Sequence, residues 1–280
     1  YLISTLKSNE QNAMAIINEL KRNISETGSL KANLFLGATY NEIGLFKQAI
    51  EACSKSAYIS EYVDHRPTAY LGIGNAYLDL KEIDNAIDYY KKSLSIQYSE
   101  NALRGIALGY EIKGRNDLAI KYLKKANKLN PYELRIYEDM IRNYKVLGKR
   151  DEIERISNAY KEAKRDYESK MHVDKALELY NQNLLDKAID EFNKSIKIKP
   201  NPAAYNNLGY IYYFAGDLPR AMEYQKMVLS LDQKCADAHH ALSLIYKALN
   251  QQDLAKRHLE EYLRLKKTGY YVRKAKKKIM

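Results

Sequence analysis

The chain has no tryptophan and only four phenylalanines, so its aromatic content rests on 26 tyrosines. Its two cysteines, Cys53 and Cys235, form neither a CxxC pair nor a disulfide framework. That excludes the disulfide-stapled secreted class and points to a reducing compartment or to indifference to redox, and on this basis we place the chain in the cytoplasm. No apolar run approaches the ~18 residues of a membrane span. No basic n-region followed by an apolar h-region opens the sequence. It begins at Tyr1 rather than at an initiator methionine, so we expect a fragment or processed form, and a removed signal, anchor or upstream domain stays open. What is present is 46% hydrophobic, 29% charged and of mean hydropathy −0.56, the composition of a soluble globular chain or a repeat array.

Catalytic signatures are scarce too. Gly72-Ile73-Gly74 begins like a dinucleotide fingerprint, but Tyr77 stands at the last glycine position and no strand precedes it. There is no P-loop, no GxSxG and no HExxH. Acidic residues are spread over helix surfaces without a paired arrangement. His172 and His239 fall on positions suited to packing, Cys53 lies on a buried helix face, and Cys235 sits in a connection. We therefore expect no enzyme activity, no cofactor and no metal.

A period of about 34 residues organises the rest. The small residue at the centre of a helical pattern recurs as Ala13, Ala49, Ala86, Ala119, Ile153, Ala188, Ala221 and Ala255, in steps of 36, 37, 33, 34, 35, 33 and 34. Each marker follows another helical pattern whose small position carries Gly37, Gly74, Ala107, Ala176, Gly209 and Ser243, where two helices must approach closely. Three residues on come Tyr40, Tyr77, Tyr110, Tyr144, Tyr212 and Tyr246, with Leu179 the exception. A tyrosine there can bury its ring while its hydroxyl reaches a polar partner. Between the paired patterns stand Gly44, Gly114, Gly148, Gly216, Asn183 and Asn250, residue types that tolerate left-handed turns. Pro131 and Pro200 stop helices.

The order aromatic, Leu-Gly, Tyr, Gly, Ala is clearest in Tyr205, Leu208, Gly209, Tyr212, Gly216 and Ala221, and it resembles the tetratricopeptide repeat family. The resemblance covers roughly residues 30–267. It implies an all-α fold, a right-handed superhelical solenoid of about seven helix-turn-helix units with a partial N-terminal unit and a C-terminal capping helix. We divide the chain into 1–29, a partial repeat; 30–167, an N-terminal array; 168–267, a C-terminal array; and 268–280, a basic capping helix. The unit 134–167 departs most from the pattern, because Ile141 and Ile153 replace small residues and should hold its helices apart. Glycine is missing between Gly148 and Gly209, and proline between Pro131 and Pro200. We expect an ordinary tight turn near Arg165–Ser169, with a single fused helix as the alternative.

The family receives an extended or helical segment of a partner protein on the concave face lined by first helices. Carried over position by position, this gives two regions. Asn75, Arg104 and Arg142, with Lys145, Glu111 and Glu138, make a charged middle groove. Asn75 and Arg104 fit the clamp that chaperone-binding relatives use for terminal carboxylates, but Leu34, Ala38 and Leu108 occupy its other places, and we expect no such clamp. Tyr180, Asn206, Asn207, Tyr210, Tyr213, Phe214, His240 and Leu244 make a later groove rich in aromatics and amides, which we take as the main peptide-docking surface. The alternative is that these rings pack against neighbouring helices. From Arg264 onward eight cations and no acid account for eight of the net +11, among them Lys274, Lys276, Lys277 and Lys278. These could meet an anionic partner, nucleic acid or a membrane surface, though solvated lysines are the commoner outcome. The expected function is a non-catalytic adaptor for a protein segment. Self-association into a homo-oligomer is a variant of it.

Overall fold

A computed structural model describes residues 10–58 and 65–266. Among them are fourteen α-helices and no strand. The chain divides into two compact units between Ala163 and Lys164. The first holds α1 (Glu10–Thr27), α2 (Leu30–Glu42), α3 (Phe46–Tyr58), α4 (Arg66–Asp79), α5 (Ile83–Ile96), α6 (Glu100–Ile112), α7 (Asn116–Leu129), α8 (Leu134–Val146) and the start of α9 (Arg150–Asn181). The second holds the rest of α9, then α10 (Leu185–Ile198), α11 (Pro202–Phe214), α12 (Leu218–Leu231), α13 (Ala236–Ala248) and α14 (Gln252–Leu265). The capping helix expected over 268–280, with Lys274, Lys276, Lys277 and Lys278, lies outside the described residues.

Local chemistry explains where helices begin and turn. Ser29, Ser99, Asn201 and Asp217 accept a backbone N–H from the first turn of α2, α6, α11 and α12, satisfying donors that the helix leaves free. Between paired helices the chain passes through a left-handed residue each time: Gly44, Lys81, Gly114, Gly148, Asn183, Gly216 and Asn250 all have positive φ. Six of these seven are the Gly and Asn residues picked out by the repeat pattern. Lys81, at φ 63°, is the seventh and carries a Cβ into a conformation that resists one.

The recurring small residues and tyrosines fit together as sockets and knobs. Four residues after the markers Ala49, Ala86 and Ala221, a side chain enters first-helix glycines. Cys53 fills the space over Gly37 and Gly72, and the ring of Tyr90 fills that over Gly74 and Gly105, where an added Cβ would meet it at 2.6 and 2.7 Å. Burial lifts the Cys53 thiol up to about 11, so it is inert core. The first-helix tyrosines stack on second-helix tyrosines: Tyr77 on Tyr89 at 5.4 Å, Tyr110 on Tyr122 at 5.6 Å and Tyr212 on Tyr224 at 5.6 Å. Buried hydroxyls lock pairs together, Ser56 donating to the Leu30 carbonyl at 2.6 Å and Ser93 to that of Pro67 at 2.7 Å.

The tight turn expected near Arg165–Ser169 is not present. α9 runs unbroken for 32 residues from Arg150 to Asn181. The segment has no glycine or proline to end a helix and consists largely of strong helix formers, so continuing costs less than turning. The unit 134–167 nonetheless keeps a core: Ile141 and Ile153 both pack against the cluster containing Met140, Tyr144 and Ile156.

Candidate functional site

In the first unit, α4, α6 and α8 present successive first-helix faces, and between them lies a cavity of about 310 Å³. Leu71, Leu78 and Leu108 give it apolar lining, with Asn75 and Asn101 beside them and Tyr90 and Leu123 beneath. Tyr90 is almost wholly buried, and its hydroxyl donates to Asn75 Oδ1 at 2.8 Å. Desolvation pushes that phenol well above its ordinary range, so it is a fixed donor.

Four charges form the polar wall. Arg142 donates to Glu111 through Nε at 2.5 Å and Nη2 at 3.1 Å, and to Asp139 at 2.7 Å. Arg104 donates to Asp139 at 3.2 Å, and the Asn143 amide donates to Glu111 at 2.7 Å. The hydrogen bonds to Glu111, then those to Asp139, hold the Arg142 guanidinium well above its ordinary range against desolvation. Two guanidiniums and two carboxylates thus neutralise one another. Arg104 Nε is buried beneath this wall with no hydrogen-bond partner. Asp139, which joins the two arginines, escaped the sequence reading because it lies one residue off the positions carried over from the family. Its acceptor role depends on a neighbour 35 residues away.

In the second unit the aromatic positions are divided between packing and exposure. Phe214 is 74% exposed, stacks on Tyr210 at 6.4 Å and meets Tyr213 edge-on at 5.4 Å. Tyr213 is half-buried and packs against the cluster formed by Ala221, Leu242 and Ile245. The Tyr210 hydroxyl donates to the Asp237 carbonyl at 3.4 Å and lies 3.5 Å from His240 Nδ1, tying α11 to α13. His240 also packs its ring on Tyr262 at 4.9 Å. Tyr180, on α9, is 41% exposed, and Leu244 is half-buried. Asn207 donates to the Ala203 carbonyl in its own helix. Asn206 keeps a buried Oδ1 without a partner, and so does Gln225 Oε1 beneath it, although the Gln225 amide donates to the Asn206 carbonyl at 3.2 Å.

His172 and His239, expected to be packing residues, each belong to a polar cluster in the second unit. His172 Nδ1 lies 2.6 Å from Glu191, and Lys175 and Lys194 each donate to Glu191 at 2.9 Å. The Lys175 hydrogen bond leads, and with those from His172 and Lys194 it holds the Glu191 carboxyl down at about 2 against the opposing effect of burial. His239 and His258 meet at 3.0 Å. Among the described residues no group of three His, Cys, Asp or Glu side chains is arranged to hold a metal ion. No described helix is long and apolar enough to cross a membrane.

Paired helices with a left-handed residue at each turn, and small residues at most of the crossings, define an all-α helical-repeat protein. Family models described as tetratricopeptide repeat match residues 67–97, 106–133, 173–237 and 236–268, together more than half of the chain, which belongs to that family. A human relative, the protein O-mannosyl-transferase TMTC1, is 23% identical over 58% of this chain. The match covers only 23% of that relative's length. Among solved structures, MamA matches at TM-score 0.49 and 24% identity, over 56% of this chain and 91% of its own. Yeast Tom70 matches at 0.45 and 17%, over 95% and 57%. YrrB, titled as having an unusual peptide-binding site, matches at 0.39 and 15%, over 92% and 97%. With every TM-score below 0.5 and every identity under 25%, nothing functional rests on these likenesses.

Proposed function

We propose that the chain is a non-catalytic scaffold that holds a segment of a protein partner against its first-helix faces, with the cavity between α4, α6 and α8 as the principal contact. The observation that carries this reading is the cavity itself. It offers about 310 Å³ with leucines on one side and a closed guanidinium–carboxylate network on the other. An apolar side chain of the segment fills the leucine side. The Phe214–Tyr210 face of the second unit is a further contact area, supported by the exposure of Phe214. TMTC1 bears the name of a transferase, but the match spans under a quarter of it, and no transferase activity is carried over here.

Capture from native lysate, followed by quantification of each bound protein, tests this reading. A partner held in the cavity is lost with Leu108→Asp, which introduces a carboxylate at a side chain already 39% exposed, and is retained with Phe214→Ser. Loss with Phe214→Ser alone would move the principal contact to the second unit. Retention with both would remove the groove reading. Tyr213→Ala is not a suitable probe, because that half-buried ring also packs against Ala221, Leu242 and Ile245. Light scattering on the purified chain separates capture of a partner from self-association.

A further inference from the structure

The last repeat carries imidazoles where two other repeats carry phenols. In the repeat of α4 and α5, Tyr89 meets Tyr70 at 6.0 Å and stacks on Tyr77 at 5.4 Å. In the repeat of α11 and α12, Tyr224 meets Tyr205 at 6.2 Å and stacks on Tyr212 at 5.6 Å. The same three positions in α13 and α14 are His239, His258 and Tyr246. Tyr246 keeps its stack on His258 at 5.4 Å, but the His239 and His258 rings close to 5.1 Å and bring their Nδ1 atoms to 3.0 Å.

The protons on this pair are determined by its neighbours. His239 Nε2 lies 3.2 Å from the Gln233 carbonyl, which can only accept, so Nε2 bears the hydrogen, Nδ1 accepts from His258 Nδ1–H, and a metal ion binding both Nδ1 atoms takes the place of that hydrogen as His258 moves its proton to Nε2. A ligating histidine is held in this way, with its outer N–H on a backbone carbonyl and its inner nitrogen free. Two nitrogens bound to one tetrahedral zinc stand ~3.3 Å apart, given bonds of ~2.0–2.1 Å. A separation of 3.0 Å needs only a small adjustment of two half-buried rings.

We propose that His239 Nδ1 and His258 Nδ1 form a two-imidazole site for a divalent transition-metal ion of the Zn2+ or Ni2+ class, clamping α13 to α14. Glu261, one turn beyond His258, is close enough for its carboxylate to interact electrostatically with His239. It is held by Arg264, so water completes the coordination. Lys226 faces His258 and opposes the added charge, as does Lys266 near the neighbouring His240. The site is therefore an accessory clamp, weaker than a closed four-ligand structural zinc site.

Calorimetric titration of the full chain with ZnCl2, and separately NiCl2, at pH 7.5 tests the assignment. We expect one ion per chain, with affinity weakened at least tenfold by His239→Asn and by His258→Gln and unchanged by His172→Gln, whose imidazole Glu191 already engages. Since either variant could perturb α13, the wild-type chain supplies the second measurement: Zn2+ should shift the ring resonances of His239 and His258 ahead of those of His65 and His172. Absence of a one-to-one event up to millimolar metal, binding that survives both substitutions, or equal loss with His172→Gln would each overturn the proposal.

Discussion

The same socket is filled differently in the two units, and the difference separates what holds the repeats together from what they can bind. In the first unit Tyr90 enters the space over Gly74 and Gly105 and spends its hydroxyl on Asn75 at the cavity edge. In the second unit Gln225 enters the corresponding space over Gly209, is wholly buried, and leaves Oε1 without a partner. Both chains of contact place a polar group under a first-helix face. Only the first completes it. The completed version underlies the cavity, with rigid apolar lining and self-neutralised charge, whereas above the incomplete one Asn206 also carries an unpaired oxygen and the exposed groups are rings.

Removing the two knobs breaks this comparison most sharply. Tyr90→Ala should destabilise the chain by about 3–5 kcal/mol, since it empties a ring-sized space between two helices. Gln225→Met, of similar volume, should be neutral or stabilising by up to about 1 kcal/mol, because it deletes a buried unpaired oxygen along with one hydrogen bond. Denaturant midpoints of both variants check this, and equal losses would mean that the two sockets do the same work.

Gly105→Ala is next in size. The new Cβ would press on the Tyr90 ring at 2.7 Å, and overpacking of that kind costs about 1–3 kcal/mol. Unfolding curves with unchanged m-value would show the loss. Of similar or smaller size is Glu191→Gln in the second unit, about 1–3 kcal/mol at neutral pH for a nearly buried carboxylate that accepts from two lysines and meets the His172 imidazole. Its folded-state pKa is depressed, so its contribution is present above the ordinary value of 4.5 and is lost as pH falls toward 2. Melting temperature against pH should therefore fall less steeply below 4.5 in the variant than in the wild type. The smallest effect is Lys81→Gly, which relieves a Cβ at φ 63° and should add up to about 1 kcal/mol, visible as a raised midpoint.

The sequence made the repeats legible because their physics is local. Left-handed turns need Gly or Asn, close crossings need small residues, and both recur at a fixed spacing; Lys81 shows that a turn can be held without either. The length of α9 was not decided, since the absence of Gly and Pro permits a continuous helix without requiring one. The site was legible only as a set of helix faces. Helical spacing puts Tyr210, Tyr213 and Phe214 side by side, but whether each ring meets solvent or the next helix depends on residues such as Leu242 and Asp237 about 30 positions on. In the same way, Arg104, Glu111 and Arg142 could be placed in one groove from the repeat pattern, while their mutual neutralisation through Asp139 is a matter of distance that no spacing encodes.

The most direct measurement of the central claim is site-specific photo-crosslinking with the full chain and a partner it captures. A photoreactive side chain replaces Leu108 in one sample and Phe214 in another, and adducts are mapped by mass spectrometry. Capture of a segment in the α4–α6–α8 cavity predicts adducts concentrated on one short stretch of the partner from position 108, abolished when Leu71→Asp is added. Adducts from position 214 alone, or adducts from position 108 scattered over many stretches of the partner, would contradict it.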